Sequence, residues 1–140
     1  MNIDNYLMRI YNVAFRLTGD ETKAADLAFN AIESSSSNLK LNDMVDTNML
    51  DNSVKEVCKL FLSDTHNGHE LFKKFEKNTY SDSFQEALMS LNKISRTIVV
   101  WRDVLGLKLE DLNLKGFNKK ELYLELNKGR KLLKDLLYVD

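Results

Sequence analysis

A chain of 140 residues with a net charge of −1, 44% hydrophobic and 29% charged residues has the composition of one ordinary globular domain or two very small ones, not of a disordered protein. Proline is absent and glycine occurs five times, so residues for tight hairpins are scarce and long helices are favoured. One cysteine excludes an intrachain disulfide, and no apolar run reaches the roughly 18–20 residues that span a bilayer. Because the first residues are polar, we expect no secretory signal and predict an all-α, cytoplasmic protein without a membrane partner.

Apolar residues at helical spacing predict three helices in the N-terminal half, over residues 4–18, 21–34 and 49–64. Gly19 suits a left-handed cap at the end of the first helix, and Asp20 suits the N-cap of the second. A serine run at 34–37 ends the second helix; a linker is the simpler interpretation, and a modification site is the other. Cys58 is expected to be a small buried hydrophobe.

The C-terminal half is predicted to contain helices over residues 83–91, 93–105, 109–114 and 119–137. The second of these should bury Ile94, Ile98, Val99, Trp101, Val104 and Leu105. Gly116 marks the turn before the last helix, and Asn118 is a good N-cap. A short helix, a turn with glycine and a longer basic helix are typical of a helix-turn-helix. We therefore predict two small helical domains, 1–65 and 83–140, joined by a linker at 66–82.

Charge is distributed unevenly between the two halves. Residues 1–82 carry nine basic and thirteen acidic residues, whereas residues 83–140 carry eleven basic and eight acidic ones. From Lys115 to Lys134 there are seven basic residues against Glu121 and Glu125. This bias indicates two modules with different partners and a nucleic-acid interface on the last helix, and the other interpretation is a solvated, lysine-rich helix face.

No set of residues with the spacing of a catalytic or metal centre stands out. Asp64, His66 and His69 lie in a loop without a fourth ligand or a helical histidine spacing, so we expect no metal site. Paired carboxylates in an apolar setting and a glycine-rich phosphate loop are also missing. The sequence predicts a protein that is not an enzyme, with no cofactor and no small-molecule substrate.

Two stretches resemble the small, two-domain, extracytoplasmic-function sigma factors of bacterial RNA polymerase. The first is YNVAFRLTGD at 11–20 followed by AADL at 24–27, which is similar to an aliphatic helix, a Thr-Gly-Asp-type turn and Ala-Glu-Asp-Leu in the family's second region. The second runs from 87 to 112 and resembles the opening of the family's fourth region. NKGRKLL at 127–133 is similar to the end of the family's recognition helix. Together these stretches are distributed along the chain from residue 11 to residue 133.

The resemblance implies a transcription initiation protein that binds core RNA polymerase and directs it to promoter DNA. Its C-terminal helix-turn-helix would read the −35 element. The residues implied to contact DNA are Lys119, Lys120, Tyr123, Lys128, Arg130, Lys131 and Lys134. The residues implied to lie on or beside the helices that face the polymerase clamp are Tyr11, Asp26, Leu27, Phe29 and Asn30. An anti-sigma factor is a further partner that the resemblance suggests.

A second hypothesis keeps the sigma fold but not promoter melting. The helix predicted at 49–64 corresponds to the family's −10 helix, yet it offers only Lys55 and Lys59 as basic residues. Opening DNA and holding a single strand needs a positive groove and exposed aromatic platforms. The alternative is therefore a degenerate sigma-fold regulatory or interaction protein that binds polymerase, a regulator or DNA alone.

Overall fold

The computed structural model describes residues 1–35, 45–63 and 82–138, and all regular structure in these residues is helical. The predicted all-α class is therefore confirmed. The chain divides into two compact units, Met1–Thr79 and Tyr80–Asp140. The linker predicted at 66–82 lies outside the described residues except for Asp82, as do Asp64, His66 and His69.

Within the described residues 1–35 and 45–63, the N-terminal unit has three helices that each pack against the other two: α1 (Ile3–Thr18), α2 (Glu21–Ser35) and α3 (Thr47–Ser63). Their apolar stripes face one another, which is how amphipathic helices of this length remove hydrophobic surface from water. The core is formed by the buried residues Tyr6, Ile10, Val13, Ala14, Leu17, Ala24, Ala28, Ala31, Val54, Val57, Cys58 and Phe61.

The turn between α1 and α2 has the caps that the sequence predicts. Gly19 adopts φ 67°, in the left-handed region, and its N–H donates to the carbonyl of Phe15 at 2.8 Å. Oδ1 of Asp20 accepts from the backbone N–H groups of Thr22 and Lys23 at 2.8 and 3.1 Å. These hydrogen bonds give partners to a carbonyl at the end of α1 and to N–H groups at the start of α2, which would otherwise have none within the helices.

A hydroxyl network joins the three helices inside the N-terminal unit. The hydroxyls of Tyr6 and Ser53 are hydrogen-bonded to each other, and Oγ of Ser53 lies 2.9 Å from Oγ of Ser35. Ser53 and Tyr6 are both fully buried, so the network satisfies polar atoms that would be costly to bury alone. Cys58 is fully buried, as expected, and this burial raises the pKa of its thiol to about 12.

The C-terminal unit contains α4 (Ser83–Ser90), α5 (Lys93–Val99), a π-helical turn (Val100–Val104), a 3-10 helix (Leu109–Asp111) and the long α6 (Lys119–Leu137). Helices α4 and α5 and the 3-10 helix all contact α6. The largest fully buried apolar side chains of the C-terminal unit are Leu88, Ile98, Val99, Val100, Trp101, Leu109 and Leu126.

The helix predicted at 93–105 does not continue as a regular α-helix. After Val99 the backbone widens, and the N–H of Leu105 donates to the carbonyl of Val100, five residues earlier, at 2.9 Å. A π turn holds more residues per turn than an α turn, so it rotates the residues that follow. Val104 is consequently 39% exposed, and the prediction that it faces inward is wrong.

The short helix predicted at 109–114 is reduced to the three-residue 3-10 helix Leu109–Asp111. Leu112 closes it by donating its N–H to the carbonyl of Leu109 at 3.0 Å. The loop before it is held by Trp101, whose Nε1 donates to the carbonyl of Lys108 at 2.8 Å. The first helix of the predicted helix-turn-helix is therefore a single turn.

The helices that the structure describes include none with an apolar stretch long enough to cross a membrane.

Candidate nucleic-acid interface

Helix α6 begins at a side-chain cap and buries one narrow stripe. Oδ1 of Asn118 accepts from the N–H of Glu121 at 2.8 Å, which confirms the predicted N-cap. The carboxylate of Glu121 in the first turn also complements the positive end of the helix dipole. The buried stripe comprises Leu122, Leu126, Gly129 and Leu133, which recur every three or four residues. The remaining circumference of this 19-residue helix is free to carry polar residues.

One arc of that circumference is basic and carries no acidic residue of α6. At about 100° per residue, its members fall within an arc of about 120°. All seven are exposed. We call this arc the basic face; it comprises Lys119, Lys120, Tyr123, Asn127, Arg130, Lys131 and Lys134.

Six of the seven residues that the sequence analysis assigned to DNA lie on the basic face, and Lys128 does not. Lys128 lies on the opposite flank of α6, with Glu121, Glu125 and Asp135. Its Nζ is 3.6 Å from Oε1 of Glu125, whose Oε2 accepts a hydrogen bond from Oγ of Ser95 at 3.1 Å. The same flank carries all three acids of the helix, so a phosphate near Lys128 would meet net negative charge.

One edge of the basic face, formed by Lys119, Tyr123 and Arg130, lies next to a carboxylate from the 3-10 helix. Oε1 of Glu110 accepts from the hydroxyl of Tyr123 at 3.0 Å and lies 3.4 Å from Nζ of Lys119. The pKa of Glu110 is lowered, chiefly by a hydrogen bond from its own backbone N–H and next by the bond from Tyr123. Glu110 is thus an ionised partner of two basic-face residues.

A second carboxylate, from the π-helical turn, meets the same edge about two helical turns further along, at Arg130. Nε and Nη2 of Arg130 donate to Oδ2 and Oδ1 of Asp103 at 2.9 and 2.6 Å. This two-pronged geometry is the strong form of a charge-assisted hydrogen bond, and it raises the pKa of Arg130. The side chain of Arg130 nevertheless keeps 47% of its surface exposed.

Three further lysines of the basic face have side chains exposed to solvent. Lys120, Lys131 and Lys134 form no ion pair with any residue of the described ranges. Lys120 and Lys134 are 14 positions apart on α6, which corresponds to about 21 Å along the helix axis. A row of unpaired cations on an exposed helix matches the repeating phosphates of a nucleic-acid backbone, and an α-helix fits the major groove of about 12 Å.

The residues assigned to a polymerase contact lie in the N-terminal unit, on two helices. Asp26, Phe29 and Asn30 share an exposed face of α2, where Phe29 keeps 64% of its surface in solvent. Leu27, about 100° away on the helix, is half-buried. Tyr11 on α1 is also half-buried, and burial, then Glu21 and Asp20, raise the pKa of its hydroxyl. The structure thus brings three of the five residues together on one accessible surface.

Helix α3, which the sequence resemblance likens to the −10 helix of sigma factors, exposes little that could hold single-stranded DNA. Its aromatic residue Phe61 is only 7% exposed and belongs to the core of the unit. Lys55 and Lys59 lie close in sequence to Asp51 and Glu56 on the same helix, so α3 carries no net positive surface. Neither a positive groove nor an aromatic platform is present on α3.

Sequence reasoning missed Asp103 and Glu110 as partners of the interface. They lie 27 and 13 residues from Arg130 and Tyr123 in the chain, and no local pattern connects residues so far apart. It also missed Arg96, which the fold uses to close the end of α4. Among the described residues no group of His, Cys, Asp and Glu could hold a metal ion.

Comparisons with known proteins add no relative: no protein-family model matches the chain, and no curated protein matches it.

Proposed function

We propose that this chain is a DNA-binding transcription initiation protein of the sigma-factor type, acting in the cytoplasm. Its C-terminal unit binds promoter DNA through the basic face of α6, and its N-terminal unit attaches it to core RNA polymerase. The observation that carries the proposal is the basic face, an exposed arc of a 19-residue helix with no acid of its own. In this proposal the chain supplies recognition and the polymerase supplies the chemistry, so the chain is not itself an enzyme.

Electrostatics sets how this helix would bind DNA. Each lysine that neutralises a phosphate releases a counterion, so the affinity falls with salt by a slope of about −0.9 per contact on logarithmic axes. Lys120, Lys131 and Lys134 are available for such contacts without breaking an ion pair. We therefore expect a slope of about −2.7 from these lysines alone.

Support for the polymerase contact comes from the resemblance of residues 11–27 and from the exposure of α2. Phe29 is a large aromatic residue on an accessible helix face, next to Asp26 and Asn30. An exposed aromatic residue beside polar ones is typical of the anchor of a protein interface.

A second candidate function follows from α3. Because its phenylalanine is buried and its charge is mixed, the N-terminal unit is poorly suited to hold melted DNA. The alternative is a degenerate sigma-fold regulatory protein that binds polymerase, a regulator or DNA without opening a promoter. Permanganate footprinting of thymines distinguishes the two, because only the first candidate gives reactive thymines in a complex with core polymerase.

The DNA contact is tested by two single substitutions with the same change in charge on the same helix. Lys131→Gln removes a cation from the basic face, and Lys128→Gln removes one from the opposite flank. We expect Lys131→Gln to reduce the salt slope for a double-stranded DNA fragment by about 0.9, and Lys128→Gln to leave it unchanged. Fluorescence anisotropy at four salt concentrations measures both slopes. Equal effects of the two variants, or no binding by the unmodified chain, would reject the proposed interface.

A further inference from the structure

Two carboxylates from outside α6 form hydrogen bonds or ion pairs with three side chains of its basic face. Asp103 holds Arg130 through two hydrogen bonds, and Glu110 contacts both Tyr123 and Lys119. All five side chains are at the protein surface. Three of the seven residues of the basic face are therefore already engaged inside the protein before any DNA arrives.

We propose that Asp103 and Glu110 act as intramolecular competitors of the DNA backbone and hold the sequence-independent DNA affinity of α6 below what its cations would provide. This inference rests on the proposed function, because it describes regulation of the same interface. A phosphate presents two oxygens to a guanidinium in the same forked geometry as a carboxylate. Asp103 and a phosphate therefore compete for the same two N–H groups of Arg130.

The placement of Asp103 is set by the backbone. It lies in the π-helical turn, where the N–H of Leu105 donates to the carbonyl of Val100 at 2.9 Å. Next to it Trp101, 1% exposed, is anchored through Nε1 to the carbonyl of Lys108. Because this turn is tied to a buried tryptophan, Asp103 stays at the edge of α6, where an approaching phosphate meets its charge.

Glu110 belongs to a different element, the 3-10 helix. That helix contacts α6, and its Leu109 is fully buried. Two separate elements thus each place one carboxylate against the same edge of the basic face. Removing either should free cations for phosphate contacts, and their effects should be close to additive because they engage different residues.

The test compares Asp103→Asn and Glu110→Gln with Asp135→Asn in the full chain. Asp135→Asn is the matched control: it makes the same change in charge on the flank of α6 that carries Glu121 and Glu125. We expect Asp103→Asn and Glu110→Gln each to raise the affinity for a double-stranded DNA fragment by about three- to tenfold at 0.1 M salt. Each should also steepen the salt slope by up to about 0.9, whereas the control changes neither quantity as much.

A second arm identifies the freed cation. Arg130→Gln should weaken DNA binding much more in the Asp103→Asn background than in the unmodified chain, because Arg130 is engaged only in the latter. A loss of affinity on Asp103→Asn would show that Asp103 positions Arg130 for binding, and would overturn the inference. If Asp103→Asn and Asp135→Asn raised the DNA affinity equally, the change in net charge would explain the effect, and the inference would be overturned as well.

The outcome also separates this inference from the proposed function. If the unmodified chain binds DNA and depends on Lys131, but neither Asp103→Asn nor Glu110→Gln raises the affinity, only the competition is wrong. If neither the unmodified chain nor any of these variants binds DNA, the nucleic-acid interface itself is wrong and the inference falls with it. Circular dichroism confirms that each variant is folded before either conclusion is drawn.

Discussion

Gly129 and Val99 lie so close that a Cβ atom at position 129 would be 2.8 Å from Cγ2 of Val99. Helices α5 and α6 therefore approach so closely at this point that any residue larger than glycine at position 129 would force neighbouring atoms to move. Alanine would favour the helical backbone by about 1 kcal/mol, but overpacking a core costs about 1–3 kcal/mol. Because the χ1 angle of valine is stiff, Cγ2 cannot turn aside freely. We expect Gly129→Ala to destabilise the C-terminal unit by about 1 kcal/mol.

Fluorescence of Trp101 measures this effect, because it is the one tryptophan of the chain and is buried in the C-terminal unit. Val99→Ala should lose packing by itself, yet it should relieve the clash in the Gly129→Ala background. The double-mutant cycle should therefore show a favourable coupling between the two substitutions. A stability increase for Gly129→Ala would contradict the close approach.

Arg96 closes the C-terminal end of α4 with its guanidinium. Its Nε donates to the carbonyl of Leu88 at 3.0 Å, and its Nη2 donates to those of Met89 and Leu91 at 3.1 and 2.9 Å. The group is largely buried, and desolvation lowers its pKa. Hydrogen bonds to a charged group contribute about 1.5–3 kcal/mol.

Lysine cannot reproduce this fork, so we expect Arg96→Lys to lower the free energy of unfolding by about 2 kcal/mol in urea titrations. The matched control is Arg102→Lys, because Arg102 is exposed on the π-helical turn. Arg102→Lys should change the stability by no more than about 0.5 kcal/mol. Equal stability of the two variants would show that the carbonyls of α4 do not depend on Arg96.

Cys58 makes the stability of the N-terminal unit sensitive to alkaline pH. Burial raises the pKa of its thiol from 9.0 to about 12, so the unfolded chain loses this proton at lower pH than the folded protein. The contribution to stability is complete below pH 9 and is lost as the pH rises towards 12. We expect the unmodified chain to lose more stability than Cys58→Ala over this range in denaturant titrations.

The same burial makes Cys58 inert at neutral pH. A chromogenic thiol reagent should leave the folded protein unmodified, and it should react with one thiol per chain in denaturant. Fast labelling of the folded protein would contradict the buried position of Cys58 on α3.

Phe29 should affect polymerase binding without affecting the fold. Its side chain is 64% exposed, so Phe29→Ser should change the free energy of unfolding by no more than about 0.5 kcal/mol. The matched control is Met8→Ser on α1, where the side chain is 60% exposed. In a titration against bacterial core RNA polymerase, with a housekeeping sigma factor as competitor, Phe29→Ser should weaken binding by at least tenfold. If Phe29→Ser and Met8→Ser bound core RNA polymerase with equal affinity, Phe29 would not be part of the polymerase contact.

The helices and their caps could be predicted because the forces that form them are local. Gly19, Asp20 and Asn118 act within four residues of their own positions, and the structure has each of them where the sequence predicts a cap. The limits of α6 also agree, at Lys119–Leu137. The π-helical turn after Val99 was not predictable, because it depends on how Trp101 and the following loop pack rather than on residue spacing.

Hydrophobic periodicity and charge can both be counted along the chain, so its sequence alone predicts an all-helical protein with a basic last helix. Which cations of that helix are engaged depends on how the C-terminal unit folds. Asp103 meets Arg130 across 27 residues, and Glu110 meets Tyr123 across 13, because the π-helical turn and the 3-10 helix each bring one carboxylate to the same edge of α6. Such pairings arise from the fold of the whole unit, and no spacing rule along the chain contains them.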